Sequence, residues 1–192
     1  MKQRMMRFLF LLVGLALSGC GYNTIQGNDE AVIAAWADVE AAYQRRADLI
    51  PNLVEVVKGY ATHEQETLTA ITEARAAVGR VQPGRDVVND PEMFARFQQA
   101  QGGLTSALSR LLLVVEQYPD LKANQNFLDL QHQLEGTENR INVARERYND
   151  AVRVFNNSIR AFPSNLTNTL LLKLPRRELI KAAAETSAKV GF

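Results

Sequence analysis

Two kinds of side chain in this 192-residue sequence could do chemistry: one thiol, and a set of charges placed where apolar residues are due. Cys20 is the sole cysteine and directly follows Leu17-Ser18-Gly19. An unpaired thiol behind small residues is suited to accept a covalent group rather than to form half of a disulfide. Arg46 interrupts an apolar repeat beside Arg45, Asp48 and Asn52. Thr137 interrupts a second repeat, with Glu135, Glu138 and Arg140 around it. Charges on a packed seam are costly to bury unless they are paired. They would then form an ion-pair layer that fixes helix register, or a polar binding site near Pro51. The first reading is the expectation.

Other reactive patterns are missing their partners. A di-metal bundle site uses Glu-x-x-His on two helices, and neither His63 nor His132 has glutamate three residues before it. His63-Glu64 begins a His-Glu-x-x-His zinc pattern, but Thr67 holds its last position. The sequence has no Gly-x-Ser-x-Gly nucleophile turn, no P-loop and no dinucleotide fingerprint. The expectation is therefore no catalytic residue, no metal, no cofactor and no enzymatic activity.

Residues 1–19 account for the setting of Cys20. Lys2, Arg4 and Arg7 form a basic start without an acid, and residues 8–17 (FLFLLVGLAL) are an apolar run. A spanning helix needs about 20 apolar residues, so a shorter run fits the core of a secretory signal. Leu-Ser-Gly-Cys resembles the lipobox of bacterial lipoproteins, in which the thiol receives a diacylglyceryl group and the chain is cut before it. Without Lys2, Arg4 and Arg7 the chain holds 19 basic and 21 acidic residues. Such a balance has no electrostatic footprint for nucleic acid. The expected location is the cell envelope, lipid-anchored through Cys20. Because Gly21 and not aspartate follows the cysteine, the outer membrane facing the periplasm is expected in a diderm organism.

Long helices must position these residues. Residues 20–28 read as a polar tether, with Asn28 or Asp29 as a helix cap. Apolar spacings of three and four then run through Val32, Trp36, Val39, Tyr43, Ile50, Leu53, Val57 and Tyr60 to Ile71, Val78 and Val81. The phase survives Pro51, which predicts one kinked element over residues 32–81 or, less favoured, two helices meeting at the proline. Residues 82–85 are a turn, and Asp90-Pro91 is a cap with proline at the first helical position. A second seam runs Phe94, Phe97, Gln101, Leu104, Leu108, Leu111, Val115, Tyr118. A third starts near Asn124 and runs Phe127, Leu130, Leu134, Thr137, Ile141, Ala144, Tyr148, Ala151, Phe155, Ile159, Phe162. Short connections make neighbouring helices antiparallel. The fold expected is all-α: an up-and-down antiparallel bundle of three to four long helices over residues 29–165. Residues 166–192 form a tail, read as a strap packed on the bundle or a frayed terminus in preference to a membrane-surface helix.

Several words within these seams occur in a familiar order. They include Gln44-Arg45-Arg46-Ala47-Asp48-Leu49-Ile50-Pro51-Asn52-Leu53, Val57-Lys58-Gly59-Tyr60, Glu116-Gln117-Tyr118-Pro119, Leu134-Glu135-Gly136-Thr137-Glu138-Asn139-Arg140-Ile141 and Phe162-Pro163-Ser164. Over residues 31–165 the chain resembles the LemA family. The resemblance implies an envelope-associated helical bundle and supplies no catalytic residue. Many members carry an N-terminal membrane helix, and this sequence departs from them in its lipobox. The function expected is a non-enzymatic scaffold or adaptor that presents helical faces to an envelope protein or to a second copy. The alternatives are a ligand-binding or catalytic protein using the polar layer, and a self-assembling membrane-remodelling protein.

Overall fold

The computed structural model describes residues 21–81 and 84–181, together with Gln3 and Met6. Cys20, the rest of the segment read as a signal, residues 82–83 of the expected turn and residues 182–192 of the tail lie outside the described residues. The elements are α1 (Tyr22–Lys58), α2 (Gln65–Arg80), α3 (Arg85–Asn89), α4 (Pro91–Val115), α5 (Pro119–Lys122), α6 (Gln125–Ser158) and α7 (Ser164–Thr167). A π-helical turn over Asn168–Leu172 follows α7. No strand occurs among the described residues, and the architecture is an all-α bundle of four long helices.

Pairings along the helices set their directions. Arg46 meets Glu138, and Tyr60 meets Asn124, so α1 and α6 run antiparallel. Arg75 meets Ala47, and Tyr118 meets Glu64, so α2 runs against both α1 and α4. The apolar seams fill the interior as their spacing requires. Val32, Trp36, Val39, Ile50, Leu53 and Val57 of α1 are at most 1% exposed. Gly102-Gly103 does not break α4, although each glycine costs about 1 kcal/mol relative to alanine. The buried Leu104, Leu108 and Leu111 outweigh this, since burying one such side chain contributes about 1.5–3 kcal/mol.

Two elements depart from the expected layout. The first helix does not run from residue 32 to residue 81. It passes Pro51 and stops at Gly59, and the chain turns over residues 59–64 before α2. Buried Ala61 pins that turn, and Tyr60 is 45% exposed rather than on the seam. The phase resumes through Leu68 and Ile71, which explains why the repeat looked continuous. Passage through Pro51 has a local cause. Proline has no N–H to offer the Ala47 carbonyl, and Arg75 Nε of α2 donates to that carbonyl instead, at 3.0 Å.

The second departure is at the start. Residues 22–28 are the first two turns of α1 and not a tether. Ile25 is fully buried in the same apolar cluster as Phe155 and Ile159, so these turns gain packing that a tether would lack. Asn28 and Asp29 are interior helix positions, and neither caps α1. Gly21 precedes α1 at a point of close approach, where an added Cβ would lie 2.6 Å from Ser164 Oγ. The expected caps at Asp90 and Asn124 are present. Asp90 Oδ1 accepts from the amides of Glu92 and Met93, and Asn124 Oδ1 accepts from that of Phe127.

Past the π-helical turn, residues 173–181 have no regular secondary structure and form a strap that lies along the bundle. Three asparagines hold it by both backbone groups of one residue each. Asn168 pairs with Leu174, Asn156 with Arg177, and Asn149 with Ile180. The spacing is a matter of rise. Asn149 and Asn156 are seven residues apart on α6, about 10.5 Å, and their partners Ile180 and Arg177 are three apart, at most about 10 Å, so these two rungs stay in step, while Asn168 lies beyond α6.

Candidate functional site

The apolar interior is two clusters. One gathers Ile25, Trp36, Val39, Phe94, Phe97 and Tyr148 toward the end where α1 begins. The other gathers Ile50, Leu53, Ile71, Leu104, Leu111 and Phe127 toward the opposite end. Arg46 stands in sequence between their α1 members and is 1% exposed. Its Nη1 donates to Glu138 Oε1 at 2.9 Å and to Thr105 Oγ1 at 3.0 Å. Its Nη2 donates to Gln101 Oε1 at 2.7 Å and to the Gln101 carbonyl at 3.3 Å. The guanidinium lies 4.9 Å from the Tyr43 ring centre. The buried Nε has no hydrogen-bond partner.

This layer joins α1, α4 and α6, and its chemistry is that of a register clamp. The guanidinium carries its charge inside, while the Glu138 side chain is 42% exposed and keeps contact with solvent. Burial pushes the Tyr43 hydroxyl above its ordinary pKa, against the pull of Arg145 and Arg46 and with a push from Glu138. Thr137 is buried, but its hydroxyl donates back to the Gln133 carbonyl and does not join the layer.

The other residues expected at this site are not gathered with it. Asp48 accepts from Gln44 on the exposed side of α1, and Asn52 is exposed one turn beyond. Glu135 is exposed and accepts from Gln131, with His132 Nδ1 at 3.8 Å. Arg45 and Arg140 instead line an open groove between α1 and α6, with Arg147, Asn139 and Asp38. Small Ala41, Ala42 and Ala144 lie in the same groove. The three arginines are exposed and carry no ion pair among the described residues.

Sequence reasoning missed four participants. Gln101 and Thr105 complete the clamp, and Gln101 was visible as the polar residue in the second seam. Arg147 follows Arg140 by seven residues, a spacing that places both on one helix face. The fourth is Arg177 of the strap, 6% exposed, which donates to Asp29 Oδ1 at 2.8 Å and to the Val88 carbonyl at 3.2 Å. A smaller cleft of about 180 Å³ opens between α1, α2 and α4, lined by Glu40, Tyr43, Gln44, Arg75 and Gln101.

A family model described as the LemA family matches residues 35–192. The magnetosome proteins MamQ 1 and MamQ 2 of Paramagnetospirillum magneticum are each 28% identical over 160 residues, covering 75% of this chain and 59% of theirs. Protein LemA of Metamycoplasma hominis is 25% identical over 150 residues, covering 74% of this chain and 64% of its own. The chain thus spans less than two thirds of the length of these relatives.

Proposed function

From the premise that this chain belongs to the LemA family, we propose that it is a non-enzymatic, membrane-anchored scaffold or adaptor of the cell envelope. The reading rests on how Arg46 is used. Four hydrogen bonds to Glu138, Thr105 and Gln101 occupy the charged group best placed for chemistry. Its work is internal, which leaves the outer helix faces as what the molecule offers. Anchoring is read from the basic start, the short apolar run and Cys20 of the sequence. No helix among the described residues is long and apolar enough to cross a membrane. We read the anchor in the sequence before Gly21 on those sequence features alone. In a diderm organism it would hold the bundle on the outer membrane, facing the periplasm.

The test is in-cell crosslinking from a photoreactive residue at Asn139 in the α1–α6 groove, with Gln65 of α2 as a second position. One dominant foreign protein supports the adaptor. Crosslinks between copies alone would move self-assembly ahead, and none from either face would count against both. The cleft beside Gln101 favours a second reading, a small polar ligand held at the edge of the clamp. It would appear as reproducible thermal stabilisation by one metabolite class, lost in Arg46→Ala.

A further inference from the structure

One end of the bundle carries a cap that its interior does not explain. Phe162 is 75% exposed, Leu166 48%, Leu170 73% and Leu171 63%. Phe162 lies in the turn that follows α6, Leu166 in α7, and Leu170 and Leu171 in the π-helical turn, so four exposed apolar side chains fall within ten residues of this end. The sequence placed Phe162 on the third seam, but α6 ends at Ser158 and the chain turns outward. Exposed Arg160, Lys173 and Arg176 flank the cap. From residue 151 to residue 177 the chain has no aspartate or glutamate. A segment that exposes large apolar side chains and cations and contains no acid has the composition of one that lies in a lipid interface.

The chain's own path says which surface meets it. Gly21 is held against Ser164 at the base of this cap, and α1 starts at the next residue. Cys20 is the residue next before Gly21, and the apolar run 8–17 precedes it in the sequence. A segment anchored in a bilayer through Cys20 or residues 8–17 therefore draws the cap to the same bilayer.

We infer that the cap formed by Phe162, Leu166, Leu170 and Leu171 rests in the interface of the anchoring membrane, with Arg160, Lys173 and Arg176 on its anionic headgroups. The inference depends on the anchored reading above. The bundle then stands end-on. At about 1.5 Å per residue, the 37 residues of α1 carry the turn at residues 59–64 to roughly 55 Å from the surface.

The experiment uses the full chain isolated from bacterial membranes. It is reconstituted in phosphatidylethanolamine–phosphatidylglycerol vesicles with brominated acyl chains. Phe162→Trp is compared with Leu113→Trp, a 70% exposed position near the far end of α4. Trp36 is buried and gives a constant background. The expected result is quenching of Phe162→Trp by about twofold or more, because interfacial side chains reach some 5–10 Å into the headgroup and acyl boundary, and no quenching of Leu113→Trp. Leu171→Trp gives the same readout if Phe162→Trp does not fold. Protein that floats with the vesicles but whose Phe162→Trp is reached by acrylamide and not by bromine overturns the end-on contact and leaves anchoring intact. Shielding from both quenchers also overturns it, since protein would then cover the cap. Protein that does not float overturns anchoring and the contact together.

Discussion

Arg46 holds a full charge at the meeting of two apolar clusters, and its neighbours decide what its loss does. Arg46→Ala leaves Gln101 Oε1 and Glu138 without their donor. Glu138 stays partly solvated, but the buried Gln101 oxygen is left unsatisfied, at about 1–3 kcal/mol, and a large buried side chain is lost with its packing, so urea unfolding should show a loss of about 3 kcal/mol. Glu138→Gln should cost less, about 1.5 kcal/mol, the lower figure for a hydrogen bond to a charged group: it takes the counter-charge from the buried guanidinium, but the amide oxygen can still accept. Equal losses would mean the layer is not organised around Arg46. Tyr148 sets a second expectation. It is fully buried, and its hydroxyl donates to the Glu178 carbonyl of the strap. Burial is the main cause of its raised pKa, with Arg177 opposing and Glu178 adding to it. Tyr43 is raised as well, again chiefly by burial. A tyrosine whose folded pKa exceeds its unfolded value of about 10 contributes stability that is present below pH 10 and lost as pH rises above it. Stability should fall from about pH 10 upward, and Tyr148→Phe should flatten that slope in alkaline denaturant titrations. An unchanged slope would remove Tyr148 as its cause.

At the scale of the element, Pro51 and Arg75 act as one device. The proline frees a carbonyl in α1, and the arginine of α2 takes it. Arg75→Ala should cost about 1 kcal/mol in the native background and close to nothing in Pro51→Ala, where a helical N–H returns to Ala47. A double-mutant cycle with no coupling would show that the bond contributes nothing to docking α2. The strap is held by a similar economy. Asn156→Ala removes both bonds to Arg177, and the Arg177 amide should then exchange roughly tenfold faster or more, as expected for about 1.4 kcal/mol of local opening. Equal protection in the variant would mean that side-chain packing alone holds the strap. These elements also mark what the sequence disclosed. The seams of α4 and α6 were legible because a repeat of three and four admits one buried face, and Asp90 and Asn124 were legible as caps. The break at residues 59–64 was not, since Leu68 and Ile71 re-enter nearly in phase. The first turns of α1 were not either, because Ile25 alone carries their burial. The clamp was half legible: Arg46 and Glu138 stood near polar interruptions of the seams, whereas the separation of Arg45 and Arg140 from them depends on helix rotation.

For the whole molecule, the adaptor reading proposed above asks which face a partner would meet. The clamp fixes the rotation of α1 against α6, and this rotation places Arg45 beside Arg140 and Arg147. Arg46 and Arg45 therefore divide the labour: one sets the register, and its neighbour is presented by it. The alanines of the groove allow close approach, and three unpaired arginines on its rim favour an acidic partner face. Reversal of two of these charges, in Arg140→Glu with Arg147→Glu, removes no recorded contact. Stability should change by no more than about 0.5 kcal/mol per site, as for exposed positions away from special features. Crosslinks from Asn139 to a foreign partner should nevertheless be lost, while those from Gln65 persist. If both sets persist with the fold intact, the groove is not the docking face and the adaptor must use α2. If both disappear while the melting curve is unchanged, the partner depends on charge over a wider area than this groove. Arg46→Ala offers the converse comparison at a temperature where it remains folded. Loosening the register should weaken Asn139 crosslinking without altering one exposed charge, which separates a presented surface from a simple patch of arginines.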